Sequence, residues 1–362
     1  MINLIKKIFS IIKERGLGYF FSHFILSTRA INFWRFSKSK YNKNYTVNYQ
    51  PIGITICVNN KCNMKCTFCY RNENNIQSKI VNYHTPGNIT IYEFKKIIKK
   101  LNSVLDINFS GFGEPLLNPE VIDMIWLSKK KHKKVGLTTN GVNLDKKNIK
   151  RLINCKTDTI TISLKGVDSE EFSLITGLDD SYFNLIINNI KNLVDYKKEK
   201  KSNTKIIIFY VCSKNKIENM KKMIKLADNL GIDRLGFIVL FPDNFRSSEK
   251  MDEVTFYNEK EINELKKIPK RKSLTINWPS IMNDQYVKKN CFTVDGITVL
   301  VDRLGNVSYC CKIPPQARYG NIYKDKNILN TQVFTSIRRA IYKNPPYVCK
   351  YCSILNKSVP ES

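Results

Sequence analysis

The spacing of apolar positions along this chain changes in a repeating way. Between Pro51 and about Leu240, short β-branched runs at 52–58, 105–109, 134–138, 157–164, 205–211 and 234–240 alternate with longer stretches at 91–101, 119–131, 146–154, 182–196 and 217–230. In the longer stretches apolar residues recur every three or four positions, the period of an amphipathic helix, whereas the short runs suit buried strands. Regular alternation of the two predicts parallel β/α units, and hence an α/β fold. In such folds ligands sit at the carboxyl ends of the strands.

Beyond about Glu249 the repeat stops. A charged helical segment at 258–267 and a short strand at 274–278 are followed by runs at 296–301 and 307–310, which flank Asp302-Arg303-Leu304-Gly305-Asn306. Glycine in that turn signals a hairpin. A last helix is expected at 331–342, ahead of Pro345-Pro346. At the other end, Leu4, Ile5, Ile8, Ile11 and Ile12 recur at helical spacing among Lys6, Lys7, Lys13 and Arg15, and a second apolar run covers 19–26. Neither run reaches the ~18–20 apolar residues that span a bilayer. Packing on the main domain is favoured over contact with a membrane surface, because surface helices ordinarily carry such a stripe. The expected organisation is a basic amphipathic extension over 1–50, a β/α core over 51–280 and a small C-terminal domain over 281–362.

With 362 residues, 42% of them hydrophobic, the chain can bury a sizeable core. Its net charge of +29 invites a nucleic-acid reading. The lysines, however, are spread along nearly every helical stretch in a Lys/Asn/Ile-rich background, so no nucleic-acid partner is expected. A basic surface does favour acidic protein partners. The eleven cysteines are too unevenly clustered for a disulfide framework and suit metal ligation in a reducing cytoplasm.

Cys62, Cys66 and Cys69 stand as C-x3-C-x2-C just behind the first strand. A 4Fe-4S cube normally takes four cysteines, so three of them leave one iron open for a small chelating molecule. Zinc also takes thiolates, but zinc loops usually pair C-x2-C with a second pair or with histidines. His23, His84 and His132 are not placed for that. With Phe68 just before the third cysteine and Tyr70 just after it, the segment resembles the signature of the radical S-adenosylmethionine (SAM) superfamily. The resemblance implies a partial (β/α)6 barrel with a 4Fe-4S cluster on the three cysteines. SAM would occupy the open iron, with Phe68 and Tyr70 among the cofactor-binding residues.

Other strand ends add to the likeness. Ser110-Gly111-Phe112-Gly113-Glu114-Pro115 is a turn whose glycines let backbone approach a ligand, and its glutamate offers an acceptor for an ammonium group. It resembles the superfamily's GGE-type motif, which binds the amino group of SAM. Gly113 and Glu114 carry over directly, and Gly111 is a candidate beside Phe112. Thr138-Thr139-Asn140-Gly141 is similar to the family's T-N-G turn and makes Asn140 a candidate. Ser163 closes the fourth strand where relatives place a polar contact to SAM, and Lys165 stands where many of them have an aspartate.

Toward the C terminus, Cys291, Gly305 and Cys310 follow the order C-x13-G-x4-C, and Cys349 with Cys352 forms C-x2-C. Four thiolates suffice for one complete cluster or for a zinc ribbon. This order, together with Gly320-Asn321-Ile322, resembles the SPASM/twitch extension of radical SAM enzymes. It implies an auxiliary 4Fe-4S cluster on Cys291, Cys310, Cys349 and Cys352, in a shortened, twitch-like form. Cys57, Cys155 and Cys212 are read as small buried apolar residues.

The implied activity is reductive cleavage of SAM to a 5′-deoxyadenosyl radical and hydrogen abstraction from a substrate. A flavodoxin- or ferredoxin-type protein would supply the electron, and the auxiliary cluster would accept one from the substrate. That pairing favours two-electron oxidation of a sugar or other small-molecule alcohol. Modification of a peptide is the alternative within the family. Outside it stand a zinc-binding nucleic-acid module and a two-cluster electron-transfer protein.

Overall fold

A computed structural model describes residues 28–39, 44–69, 87–212, 217–239, 257, 259–279, 291, 293–310, 313, 315–344 and 349. Tyr70, Cys352 and the apolar runs near the N terminus lie outside them. The order begins with α1 (Thr28–Ser39), β1 (Gly53–Ile56), α2 (Ile91–Lys100), β2 (Asp106–Phe109), α3 (Val121–Lys130), β3 (Lys134–Thr139), α4 (Lys146–Asn154) and β4 (Thr159–Leu164). It continues with α5 (Ser169–Thr176), α6 (Ser181–Glu199), β5 (Lys205–Cys212), α7 (Ile217–Asn229), β6 (Arg234–Val239), α8 (Glu259–Lys266) and β7 (Thr275–Asn277). The C-terminal part adds β8 (Thr298–Val301), β9 (Asn306–Ser308), β10 (Gln316–Asn321) and α9 (Gln332–Lys343).

The six expected strands pair in parallel in sequence order, from β1 to β6. They form the parallel β/α core that the alternation predicts, consistent with the partial barrel that the resemblance implies. Two differences from expectation concern its edges. β7 continues the sheet beyond β6, and β8 pairs in parallel with β1 on the other side, so the C-terminal hairpin belongs to one ten-stranded sheet in the order β10-β9-β8-β1-β2-β3-β4-β5-β6-β7. Gly53 makes the β8 contact feasible, since a Cβ there would lie 2.8 Å from the Ile297 carbonyl oxygen.

Side chains alternate between the two faces of each strand. Ile54, Ile56, Ile107, Phe109, Val135, Leu137, Ile160, Ile162, Ile206 and Ile208 turn toward the helices and are all but fully buried. The opposite face of β1 to β4 carries Thr55, Asn108, Thr138, Thr161 and Ser163, whereas that of β5 and β6 carries Ile207, Phe209 and Ile238. The sheet thus has an apolar outer layer and a second face that is polar on its first four strands.

At the amino ends of the strands a single device recurs. Asp158, just before β4, accepts the Lys129 ammonium at 2.5 Å and the Val135 N–H of the preceding strand at 2.7 Å. Asp233, just before β6, accepts Lys197 at 2.6 Å and the Ile206 N–H at 2.7 Å. Each carboxylate therefore ties the preceding strand to a lysine near the end of a helix. Burial alone would raise the Asp233 pKa, but the Ile206 N–H and the lysines outweigh it and hold the carboxyl below its ordinary value.

Helix α1 packs on the chain that follows it: Phe33 and Phe36 are buried, and Phe36 meets Tyr49 edge-on at 5.3 Å. Fully buried Arg338 of α9 donates to the carbonyls of Tyr45, Val294 and Leu329, joining the start of the chain to its C-terminal part. Among the described residues no helix is long and apolar enough to cross a membrane.

Candidate active site

The cysteine loop leaves the carboxyl end of β1 and is pinned from both sides. On one side the Lys65 and Thr67 N–H groups donate to the carbonyls of Thr176 and Ile175 at the end of α5, at 3.0 and 2.9 Å. Gly177, with φ of 67°, stops that helix there. The Cys69 N–H closes a turn onto the Cys66 carbonyl at 3.0 Å. Cys66 is buried, and burial pushes its thiol up to about 11. Lys165 pulls that value down, while Cys69 and Cys62 push it up, so both of those sulfurs lie within electrostatic reach of Cys66. Three cysteine thiolates on one loop are the donor type that holds the irons of a 4Fe-4S cube.

On its other side the loop is seated on the glycine turn. The Glu114 N–H donates to the Lys61 carbonyl at 2.7 Å, and Asn59 Nδ2 donates to the Glu114 carbonyl at 2.8 Å. A Cβ on Gly113 would fall 2.0 Å from Asn59 Oδ1 and within 2.8 Å of two backbone oxygens, so only glycine allows this approach. Asn59 Oδ1 is buried there with no hydrogen-bond partner among the described residues, an acceptor beside the turn that no motif marked.

Glu114 departs from the expected role. Its side chain is 2% exposed. Oε1 accepts the Leu116 N–H at 3.0 Å and the Thr139 hydroxyl at 2.7 Å, while Oε2 accepts the Asn140 N–H at 2.7 Å. The carboxylate that was expected to meet an ammonium group is thus committed to the protein interior, where it fixes the turn after β3. Burial raises its pKa, against the pull of those three donors.

Asn140 connects that turn to the cysteines. Its Nδ2 donates to Asn63 Oδ1 at 2.7 Å and reaches Cys62 Sγ at 3.8 Å, and its Oδ1 accepts the Val142 N–H at 3.0 Å. Ser163 lies at the end of β4, where its Oγ accepts from Lys165 Nζ at 2.6 Å. Lys165 Nζ in turn stands 5.2 Å from the centroid of the Phe68 ring. Cys62, Cys66, Phe68, Glu114, Asn140, Ser163 and Lys165 are therefore linked at one end of the sheet. Exposed Gly111 lies against Cys57, whose sulfur would be 2.5 Å from a Cβ at that position.

The C-terminal cysteines lie elsewhere. Gly305, at φ 79°, turns the β8–β9 hairpin as expected. Burial raises the pKa of Tyr309, the neighbour of Cys310, to about 12, and Cys310 and Cys349 are both half-buried. Cys291 is half-buried ahead of β8, and its carbonyl accepts the Asp295 N–H at 2.9 Å. Cys57 and Cys212 are buried as expected, and Cys155 is half-buried at the end of α4.

The sequence profile described as the Radical SAM superfamily matches residues 56–216, from the end of β1 past β5, a span that includes the cysteine loop, the glycine turn and Asn140. Residues 56–216 carry a radical SAM domain. That family implies a 4Fe-4S cluster and SAM. An uncharacterized protein of Methanocaldococcus jannaschii is 35% identical over 132 residues, 36% of this chain and 40% of that protein. A probable GTP 3′,8-cyclase of Saccharolobus islandicus is 28% identical over 220 residues, 57% of this chain and 64% of the cyclase. The chain thus spans less than two thirds of the length of either relative. Among solved structures, Streptococcus suis SuiB bound to S-adenosylmethionine superposes with a TM-score of 0.59 at 16% identity, covering 97% of this chain and 83% of SuiB. At that identity the likeness is one of fold.

Proposed function

We propose that this chain is a radical SAM enzyme that oxidises a sugar-like or other small-molecule alcohol by two electrons. The observation that carries the reading is the joint between the thiolate trio and the glycine turn: Asn140 touches Cys62 while Glu114 holds Asn140. Cys62, Cys66 and Cys69 would hold the 4Fe-4S cluster, and the backbone around Gly113 with Ser163 would hold SAM. When bound, these groups supply the radical that takes hydrogen from the substrate.

The protein's own part is to orient and to shield. Glu114, Thr139 and Asn140 fix the loop that presents the sulfurs. The helix-facing core of the barrel keeps water from one side, while the polar face of Thr55, Asn108, Thr138 and Thr161 gives hydroxylated groups hydrogen-bonding partners. Cys291, Cys310, Cys349 and Cys352 would hold the auxiliary cluster that takes the second electron. An acidic flavodoxin-type donor fits the net charge of +29.

Anaerobic reconstitution followed by assay of 5′-deoxyadenosine across sugars, nucleotides and peptides tests the reading. Iron and sulfide at about eight each are expected for two cubes. Cys66→Ala should abolish 5′-deoxyadenosine release, whereas Cys349→Ala should keep SAM cleavage and lose most product. Zinc in place of iron, or equal behaviour of the two variants, would overturn it. Turnover of a peptide but of no sugar would move the substrate class to peptides.

A further inference from the structure

Lys165 is the cation built into the face of the barrel that carries the thiolates. It follows Ser163 by two positions at the end of β4 and so shares its face. Its Nζ is fixed by two contacts already described, the 2.6 Å bond to Ser163 Oγ and the 5.2 Å approach to the Phe68 ring. The second is a cation–π contact with the residue that precedes Cys69. Lys165 is half-buried, unlike the exposed Lys61 and Lys65 of the cysteine loop itself. Its charge is felt by the Cys66 sulfur and by the Glu114 carboxyl. The ammonium is therefore held in one place, partly out of water, beside the sulfurs.

We infer that Lys165 is a positioning residue that sets the reduction potential of the cluster on Cys62, Cys66 and Cys69, making that cluster easier to reduce. The inference rests on the reading that the trio holds such a cluster. Three thiolates and an added electron concentrate negative charge, and a fixed cation nearby stabilises the reduced state more than the oxidised one. Net charge around a cluster is one of the terms that set its potential, and partial burial keeps the interaction from being screened away. One electron enters from the reductant and no bond to Lys165 forms or breaks. The lysine keeps its proton throughout.

The test is an anaerobic redox titration of the full-length reconstituted protein, followed by electron paramagnetic resonance of the signal that SAM perturbs. Lys165→Met should load as much iron as the parent but shift the reduction equilibrium at least tenfold toward the oxidised form, about 59 mV for one electron. Lys165→Arg should restore the parent value. If Lys165→Met loses iron, Lys165→Gln, which can still donate to Ser163, carries the same expectation. Superimposed titration curves at equal iron content overturn the inference, as does a loss of SAM affinity without a change of potential. A parent protein that takes up no iron on the trio overturns the reading beneath it instead.

Discussion

The two ends of the sheet are tied by the same kind of bond to different effect. At the amino ends, Asp158 and Asp233 each accept a strand N–H and a lysine ammonium. At the carboxyl ends, Glu114 accepts three donors, all of them neutral. A carboxylate paired with a cation stays ionised cheaply, so the amino end is a fastening. Buried without a bonded cation, Glu114 is costly to keep charged, and its worth lies in where it places Asn140 and the cysteine loop. One end serves stability and the other serves position.

The largest effect should come from Glu114→Ala. Three donors lose their acceptor at about 1–3 kcal/mol each, so urea unfolding should show a loss of about 3 kcal/mol or more. SAM affinity measured by calorimetry should fall at least tenfold. Gly113→Ala comes next. The added methyl cannot avoid Asn59 and two carbonyl oxygens, so SAM affinity should drop about as far for a smaller stability cost of about 1–3 kcal/mol. Asp233→Asn should do the reverse, costing about 1–2 kcal/mol for its charge-assisted bonds and leaving SAM affinity unchanged. A loss of affinity in that variant would erase the distinction between the two ends.

The smallest effect is one of order on acidification. Asp233 has a folded pKa below its unfolded value, so its contribution is complete above the unfolded value and is lost as pH falls through the folded one. Glu114 runs the other way. Its raised folded pKa makes the ionised form costly, and protonation relieves that cost while weakening the acceptor that Asn140 needs. Carbon-13 titration of the carboxyls should therefore show Glu114 taking its proton above 4.5 and Asp233 below 3.8, the ordinary values of the two groups.

Much of the barrel was legible because period-2 and period-3.6 patterns report burial directly, and α4 falls on its expected bounds. The eight-residue α5 was missed, although Asp168 caps it and Gly177 stops it, because so few turns give little periodic signal. β10 was missed for a different reason: Gln316–Asn321 alternates weakly and contains Gly320. The pairing of β8 with β1 joins segments far apart in sequence and has no local signature. At the site, spacing singled out the cysteines, but it could not say which way Glu114 points. Pro115 directly after it, at the start of a short turn whose Leu116 N–H the carboxylate caps, was the available hint.

The parallel contact between Thr298–Val301 and Gly53–Ile56 has a practical consequence for anyone wishing to isolate the barrel. Cutting the polypeptide ahead of this contact would strip a row of amide and carbonyl groups from the very strand that leads into the cysteines. Such a bare margin recruits other molecules edge to edge, so the shortened product should clump rather than yield a soluble minimal enzyme.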